Sequence, residues 1–594
     1  MADLDLALVG NCQIAALLDR RARIVWACLP RFDGDPTFCA LLAGKAEPEA
    51  GFYDVELLEL SRSEQRYLAN TAIVETVLYD SSGGAVKVID FAPRFQQRGR
   101  FFRPMSLVRM VIPVAGNPRV RIRIRPLGEY GAVTPTLTHG SNHIRFVLPN
   151  LALRLTTDAS ITAVLEERAF MLDHPVALVL GPDETLADAP GTIARHFFGE
   201  TKSHWEGWAH GLSIPFEWQD AVIRAAITLK LCTYEDTGAV IAGVTTSIPE
   251  APDSGRNWDY RYCWLRDAFF VVHALNRLGA TTTMEQYLRY VINVALEADG
   301  RPLQPVYGIS GEARLPERLV DTLPGYRGMG PVRVGNEAYE QKQNDVYGSV
   351  IAAAMQYFFD QRIVVRGDIA TFRHLEQLGE RAVQLFNTPD AGLWEYRGRQ
   401  RVHTFSNAMC WTAADRLARI ADHLGDHDRA AYWRSNASRM HAELDRGAWN
   451  EKLGCFTESV GRDELDASVL LLPSLGFVRA DDPRFASTVR AIEKSLLEDK
   501  HMRRYAAADD FGAPENAFNV CTFWYIEALA GLGRLDEARE IFESMLACRN
   551  TLGLLSEDIH PATNELWGNF PQTYSMVGII SSAMRLSRPW EDAL

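Results

Sequence analysis

The spacing of apolar residues along this chain changes once, between residues 196 and 218, and that single change divides what the chain can fold into. Before it, from about residue 5 to 195, short apolar runs such as ARIVWACLP, AIVETVLYD, VKVIDFAP and SLVRMVIPV alternate with turn residues. The run RVRIRIR at 119–125 alternates strictly, placing Val120, Ile122 and Ile124 on one face and four arginines on the other. One face must pack and the other must meet water. Repeated strands with no helical period between them predict an antiparallel β-sandwich over residues 1–195.

Residues 196–217 read as a linker that passes through Pro215 into WQDAVIRAAITLKLCTYE, whose apolar positions recur at three and four. From 218 to 594 helical segments dominate. About twelve begin near 218, 263, 283, 344, 371, 408, 428, 466, 484, 516, 535 and 572. Six helix pairs closed into an (α/α)6 barrel, a decorated four-helix bundle and a helical repeat array all fit twelve helices. The absence of a fixed repeat length disfavours the array, and the barrel leads. A barrel gathers loops from one end into one pocket, so residues far apart in sequence could share a site. The Gly- and Pro-rich segment 299–343 is too long for an ordinary connection and is expected to be functional.

At 594 residues the chain needs more than one core. A net charge of −14 with no sustained basic run argues against a nucleic-acid partner. The opening residues lack a basic region followed by a long apolar one, and no apolar stretch reaches the roughly 20 residues that cross a bilayer. Nine cysteines lie singly, with no CxxC pair, as buried thiols of a reducing cytoplasm would. NAS at 436–438 then matches a glycosylation pattern by coincidence. The expected protein is cytoplasmic and off the membrane, and a homo-oligomer is left open.

The motifs that are missing narrow the chemistry. There is no P-loop, HExxH, dinucleotide-binding GxGxxG, GxSxG or His/Cys ligand spacing, so neither a cofactor nor a metal is expected. What remains is aromatic and acidic. RNWDYRYCWLRDAFF, 256–270, crowds Trp264, Arg266 and Asp267 against a helix start. The bland reading is a helix start with snorkelling arginines and a core tryptophan. The alternative is a sugar site, where flat aromatic surface meets the apolar face of a pyranose and an Arg-Asp pair grips vicinal hydroxyls.

Acid-catalysed glycosidic cleavage requires two carboxyl groups, one protonated and one ionised. AGLWEYRG, 391–398, offers Glu395 between Trp394 and Tyr396, with Arg397 as its nearest charge in sequence. GLLSEDIHPATNELWGNFPQTYS, 553–575, offers Glu557 beside Ser556 and Asp558. The aromatic setting of Glu395 is expected to hold it protonated, while Glu557, in a more polar setting, stays ionised. Read singly, either glutamate could be an ordinary hydrogen-bonded loop carboxylate.

Taken together, RNWDYRYCWLRDA, PGYRGMGPVRVGN, DVYG, LWEYRG, MCWTAADR, LLSEDIHPATNELWGNFPQTYS and the amino-terminal LPRFDGDPTFCALL resemble the bacterial branch of glycoside hydrolase family 15, which contains glucoamylases, glucodextranases and trehalases. The resemblance covers nearly the whole chain in order and implies a β-sandwich followed by an (α/α)6 barrel. It implies that Glu395 is the general acid, that Glu557 is the base that activates water, and that Trp264, Arg266 and Asp267 hold the nonreducing sugar. RRYAAADDFG, 503–512, resembles the family's Arg-Tyr loop, which makes Arg504 a substrate contact. The family's chemistry is inverting, which requires carboxyl groups about 6.5–9.5 Å apart and a β-configured product.

The chain departs from its bacterial relatives at Ser406-Asn407-Ala408, where Ser-Lys is frequent before Met-Cys-Trp. It departs again at Met329-Gly330, where Ser-Arg is common, and at Ser349, where Glu is common. These changes are expected to alter the leaving-group side of the pocket. The expected function is an exo-acting inverting α-glucoside hydrolase of the glucoamylase type, acting on short α-glucans or α-linked disaccharides. Trehalase is the close alternative. A sugar phosphorylase and a noncatalytic sugar-binding protein are the more distant ones. Glu557 stands against the phosphorylase, and the presence of both carboxylates stands against the binding protein.

Overall fold

The computed structural model describes residues 3–298 and 301–593. The amino-terminal region is built on two antiparallel sheets. One has seven strands and the other eight, the latter running in the order Thr136–His139, His143–Val147, Ala152–Thr157, Val176–Pro182, Leu107–Ala115, Ala85–Phe91, Val74–Asp80 and Leu60–Tyr67. Arg119–Arg125 lies in the seven-stranded sheet against Phe52–Leu57, with Val120, Ile122 and Ile124 buried as the alternation demands. Its arginines pair with carboxylates, Arg123 with Asp54 on the neighbouring strand and Arg125 with Glu167 in a nearby turn. One apolar core draws residues from both sheets, among them Val9, Ile24 and Val55 from one and Val74, Val88 and Leu155 from the other.

The stretch read as a linker is largely helical. Pro190–His210 forms a helix with proline in its first turn, where the missing N–H costs nothing. Ala194, Phe197 and Phe198 of that helix pack against Ile89, Phe91, Val108 and Val179 on the outer face of the eight-stranded sheet.

Beyond it the chain is helical, with helices starting within about four residues of the expected positions. Leu265–Arg277 packs on Asp345–Phe359, which packs on Thr404–Leu424. Contacts continue through the short turns Ala467–Leu471 and Leu472–Leu475 to Asn519–Gly531 and Thr573–Leu586, and from there return to Leu265–Arg277. Six further helices lie against these elements: Gln219–Leu231, Thr281–Glu297, Ile369–Leu385, His427–Ala448, Pro483–Leu496 and Leu535–Ala547. The first set carries a large share of residues buried all round, as Asn519–Gly531 does over ten of its thirteen positions, whereas Pro483–Leu496 buries a single stripe.

The two regions are joined by buried polar contacts. The Trp26 indole N–H donates to the Val244 carbonyl at 2.9 Å. Arg261 is fully buried and pairs with Asp259 through two hydrogen bonds of 2.8 and 2.7 Å. It also donates to the Gly34 carbonyl at 2.8 Å and to the Tyr130 hydroxyl at 3.1 Å. The β region thereby grips the segment that leads into Trp264. All nine cysteines are buried free thiols. Among the described residues no helix is long and apolar enough to cross a membrane, and no cluster of three or more His, Cys, Asp or Glu is arranged to hold a metal ion.

Candidate active site

Loops from the helical region converge on a cavity of about 860 Å³, counting its open mouth, within the usual range for small-ligand sites. Trp264, Arg266, Asp267, Trp394, Glu395, Arg504 and Glu557 all line it, although they span nearly 300 positions of sequence.

Trp264 ends a two-residue strand paired with Val306–Tyr307 and precedes the helix Leu265–Arg277, so Arg266 and Asp267 project from the first helical turn. Arg266 is clamped by Gln343 Oε1 at 2.8 Å and Asp345 Oδ2 at 3.3 Å. Its Nε lies 3.5 Å from Asp267 Oδ2, and neither atom has a hydrogen-bond partner among the described residues. Buried donors and acceptors are normally satisfied, and here the facing charges of the two residues stand in for a hydrogen bond. Burial pushes the Asp267 carboxyl up to about 7, against the pull of Arg266.

Glu395 sits at φ 60° in a tight loop whose ends are bridged by Asp390 and Arg401. A non-glycine residue in the left-handed region costs on the order of 1 kcal/mol or more, and local bonds hold it there. Its N–H donates to the Gly392 carbonyl, and Gln341 Nε2 donates to the Glu395 carbonyl at 3.1 Å. Its carboxylate Oε1 accepts from Trp264 Nε1 at 2.6 Å, Gln343 Nε2 at 3.2 Å and Arg266 Nη2 at 3.4 Å. Three donors on one oxygen fix the carboxylate plane and leave Oε2 outside these bonds. Arg397, two residues on in sequence, turns away to Glu317 and Glu337. The charge that reaches Glu395 is Arg266.

Glu557 precedes the strand Asp558–Ile559, which pairs with Ala517–Phe518 on one side and Leu566–Trp567 on the other. Tyr260 donates its hydroxyl to Glu557 Oε1 at 2.5 Å. The expected contrast between the two glutamates is reversed. Glu557 is 1% exposed, whereas the Glu395 side chain is 24% exposed. Burial first, and then the neighbouring Glu250, push the Glu557 carboxyl up to about 8. Ser556 and Asp558 make the sequence around Glu557 look polar, but strand pairing encloses it.

Trp394 donates its indole N–H to Asp466 at 2.6 Å and meets the rings of Tyr505, Phe518 and Trp524. Arg504 is buried and ion-paired with Glu250, which also accepts from Trp258 Nε1 at 2.9 Å. Sequence reasoning passed over Tyr260, Glu250, Gln341 and Gln343. Tyr260 lay inside the aromatic-acidic stretch already singled out. Gln341 and Gln343, two apart, carry the period-two signal of side chains on one face of an extended segment. Nothing near Glu250 marks it.

The three departures do not reach the cavity lining. Asn407 is buried, accepts from the Asn387 N–H at 2.5 Å and donates to the His403 carbonyl at 2.7 Å. Ser349 is buried and bonds back to the Asp345 carbonyl within its own helix. Met329 offers its backbone carbonyl to Asn257. The expected change on the leaving-group side therefore does not follow from these residues.

Residues 218–584 match the family model for glycosyl hydrolases family 15, and residues 4–167 match that of a trehalase-like N-terminal domain. A trehalase of Mycolicibacterium smegmatis is 31% identical over 99% of this chain and 92% of its own length. A trehalase of Thermoplasma volcanium is 30% identical over 97% of this chain and 92% of its own. A bacterial glucoamylase solved with acarbose superposes with a TM-score of 0.68 over 98% of this chain and 94% of its own, at 14% identity.

Proposed function

The chain belongs to glycosyl hydrolases family 15, and from that membership we propose that it is an inverting, exo-acting α-glucoside hydrolase whose substrate is trehalose. The observation that carries this reading is the pair of carboxylates on one cavity, Glu395 pinned through Oε1 and Glu557 buried against Tyr260. In this reading the two sheets are a β-sandwich and the closed succession of helices is an (α/α)6 barrel.

The sugar at the closed end rests on Trp264 and Trp394 while Arg266 and Asp267 bind its vicinal hydroxyls. Glu395, protonated on Oε2, gives that proton to the glycosidic oxygen as the bond from this oxygen to the anomeric carbon breaks. A water on the opposite face attacks the same carbon and loses a proton to Glu557. Burial and Glu250 make Glu557 a stronger base than an exposed carboxylate, and the Tyr260 hydroxyl supports its ionised form. The products are one β-configured glucose and the leaving sugar.

Two considerations put trehalose ahead of glucans. Relatives matched over almost their whole length are named trehalases, whereas the glucoamylase likeness, at 14% identity, speaks to the fold. A phosphorylase is disfavoured because Glu557 occupies the position of a water-activating base, which a phosphate nucleophile does not need.

The test is a panel of trehalose, maltose, isomaltose, kojibiose, nigerose and maltooligosaccharides, with anomer-resolved detection and with and without phosphate. Trehalose should be cleaved fastest, giving equal α- and β-glucose at first turnover. Release of α-glucose alone would refute inversion. Glu395→Gln and Glu557→Gln should each lose at least ~100-fold in kcat, and near wild-type rates in either would refute the assignment.

A further inference from the structure

Three loops meet at one side chain on the exposed rim of the cavity. Arg397 follows the acid by two residues, and its side chain is 27% exposed against 6% for Arg266 on the cavity floor. Its guanidinium reaches Glu317 at 2.6 Å and Glu337 at 2.7 Å, both in the long 299–343 segment. The backbone N–H groups of Arg397 and Gly398 donate to Asp510 Oδ2 at 3.0 and 2.8 Å, tying the same loop to 503–512. A Cβ on Gly398 would lie 2.4 Å from Asp510 Oδ1, so a larger residue there would push the Asp510 carboxylate aside.

Trp258 lies beneath this junction. The Arg397 guanidinium is 4.6 Å from its ring centroid and that of Arg333 is 5.4 Å, while Phe511 meets it edge-on at 5.2 Å. Arg333 is itself anchored to Glu317 at 2.6 Å. Trp258, Arg397, Asp510 and Phe511 all line the cavity. Ion pairs on a surface are individually weak, but a guanidinium shared by two carboxylates and stacked on an indole is a network that fixes its geometry.

We propose that the Arg397 junction closes the leaving-group side of the cavity so that it seats a single hexose beside Trp258 and bars any longer chain. Trp258 carries the Arg397 guanidinium and contributes its indole edge to the wall, while Arg397 and Asp510 offer the donor and the acceptor for hydroxyls. The two backbone hydrogen bonds to Asp510 and the ion pairs to Glu317 and Glu337 hold this stretch of the rim in place against a longer chain. The substrate class is then the disaccharide rather than the polymer. This inference rests on the hydrolase reading above.

The test compares kcat/KM of wild type, Arg397→Ala and Glu337→Gln on trehalose, maltohexaose and α-glucosyl fluoride, the last having no sugar in the leaving group. Wild type should favour trehalose over maltohexaose at least tenfold. Arg397→Ala should lower that ratio, and the ratio of trehalose to fluoride, tenfold or more, mainly through KM for trehalose. Glu337→Gln, which removes one exposed anchor, should move both ratios the same way by a smaller factor and guards against a misfolded alanine variant. Ratios within twofold of wild type in both variants, or a wild type that takes maltohexaose as readily as trehalose, would sink the junction while fluoride hydrolysis keeps the hydrolase reading standing. A folded wild type that hydrolyses neither fluoride nor any disaccharide takes both down together.

Discussion

Gly568 lies so close to Glu557 that a Cβ added to the glycine would stand 2.6 Å from the glutamate Cβ and 2.8 Å from its Oε2. The same point is 3.0 Å from Asp558 Oδ2, and Gly568 itself is at φ 74°. Gly568→Ala must therefore displace the base, its neighbour, or both, and must also carry the strain of a left-handed alanine. The expected result is a fall in kcat of at least tenfold with KM for trehalose changed less, because the proposed sugar contacts, Arg266 and Asp267, lie on the helix Leu265–Arg277, away from the Gly568 turn. Steady-state kinetics beside a thermal melt separates this local effect from unfolding.

In the proposed site Trp264 does more than face a sugar. Its indole N–H is the shortest of the three donors to Glu395 Oε1, and charge-assisted bonds of this kind contribute roughly 1.5–3 kcal/mol. Trp264→Phe keeps most of the ring and loses the donor. It should reduce kcat by about 10- to 100-fold, whereas a purely stacking role would leave kcat nearly intact and raise KM.

Much of this was legible in the sequence because it rests on local periodicity. The alternation at 119–125 and the three- and four-spaced apolar residues after 218 are properties of single elements, and those elements form where the pattern places them. What was not legible depends on which elements come to lie together. Glu557 looks polar beside Ser556 and Asp558, yet two flanking strands bury it. Arg397 is two residues from Glu395 in sequence, yet the left-handed turn at Glu395 sends it to the rim and brings in Arg266 from a distant helix. Asn407 sits beside a family motif, but its position on the helix Thr404–Leu424 points it at the Asn387 turn rather than the cavity. Pro190–His210 was hidden for a related reason, since its few apolar residues cover a sheet face already formed.

The β region carries its own test of burial. Arg109 and Asp90 are both buried and joined by hydrogen bonds of 2.6 and 3.2 Å, and Arg109 also serves the Tyr53 carbonyl at 2.9 Å. Arg109→Ala removes the only cation bonded to Asp90 among the described residues and should cost about 3–5 kcal/mol, read as a lowered denaturation midpoint. Replacing both residues by apolar ones, Arg109→Met with Asp90→Leu, should recover part of that loss, because no buried charge is then left alone. A single variant as stable as wild type would refute the account.

The pH dependence follows from the base. Glu557 must be ionised to accept a proton from water, and burial together with Glu250 pushes its carboxyl up to about 8. Below that value the base is protonated and idle, so the acid limb of kcat/KM should lie above the ordinary carboxylate range rather than level near pH 5. The requirement for a protonated acid sets the limb on the alkaline side. Asp267, pushed up to about 7 by burial, also loses its charge on the acid side and should steepen the fall below pH 7. Glu250→Gln removes one negative neighbour from Glu557 while keeping an oxygen for Trp258 Nε1. With less repulsion the ionised base becomes easier to form, so the acid limb should move to lower pH. Profiles of kcat/KM between pH 4 and 9 for the two proteins decide the matter. An acid limb already complete near pH 4.5 in wild type, or one that moves upward in Glu250→Gln, would show that Glu557 is not set by its buried carboxylate neighbour.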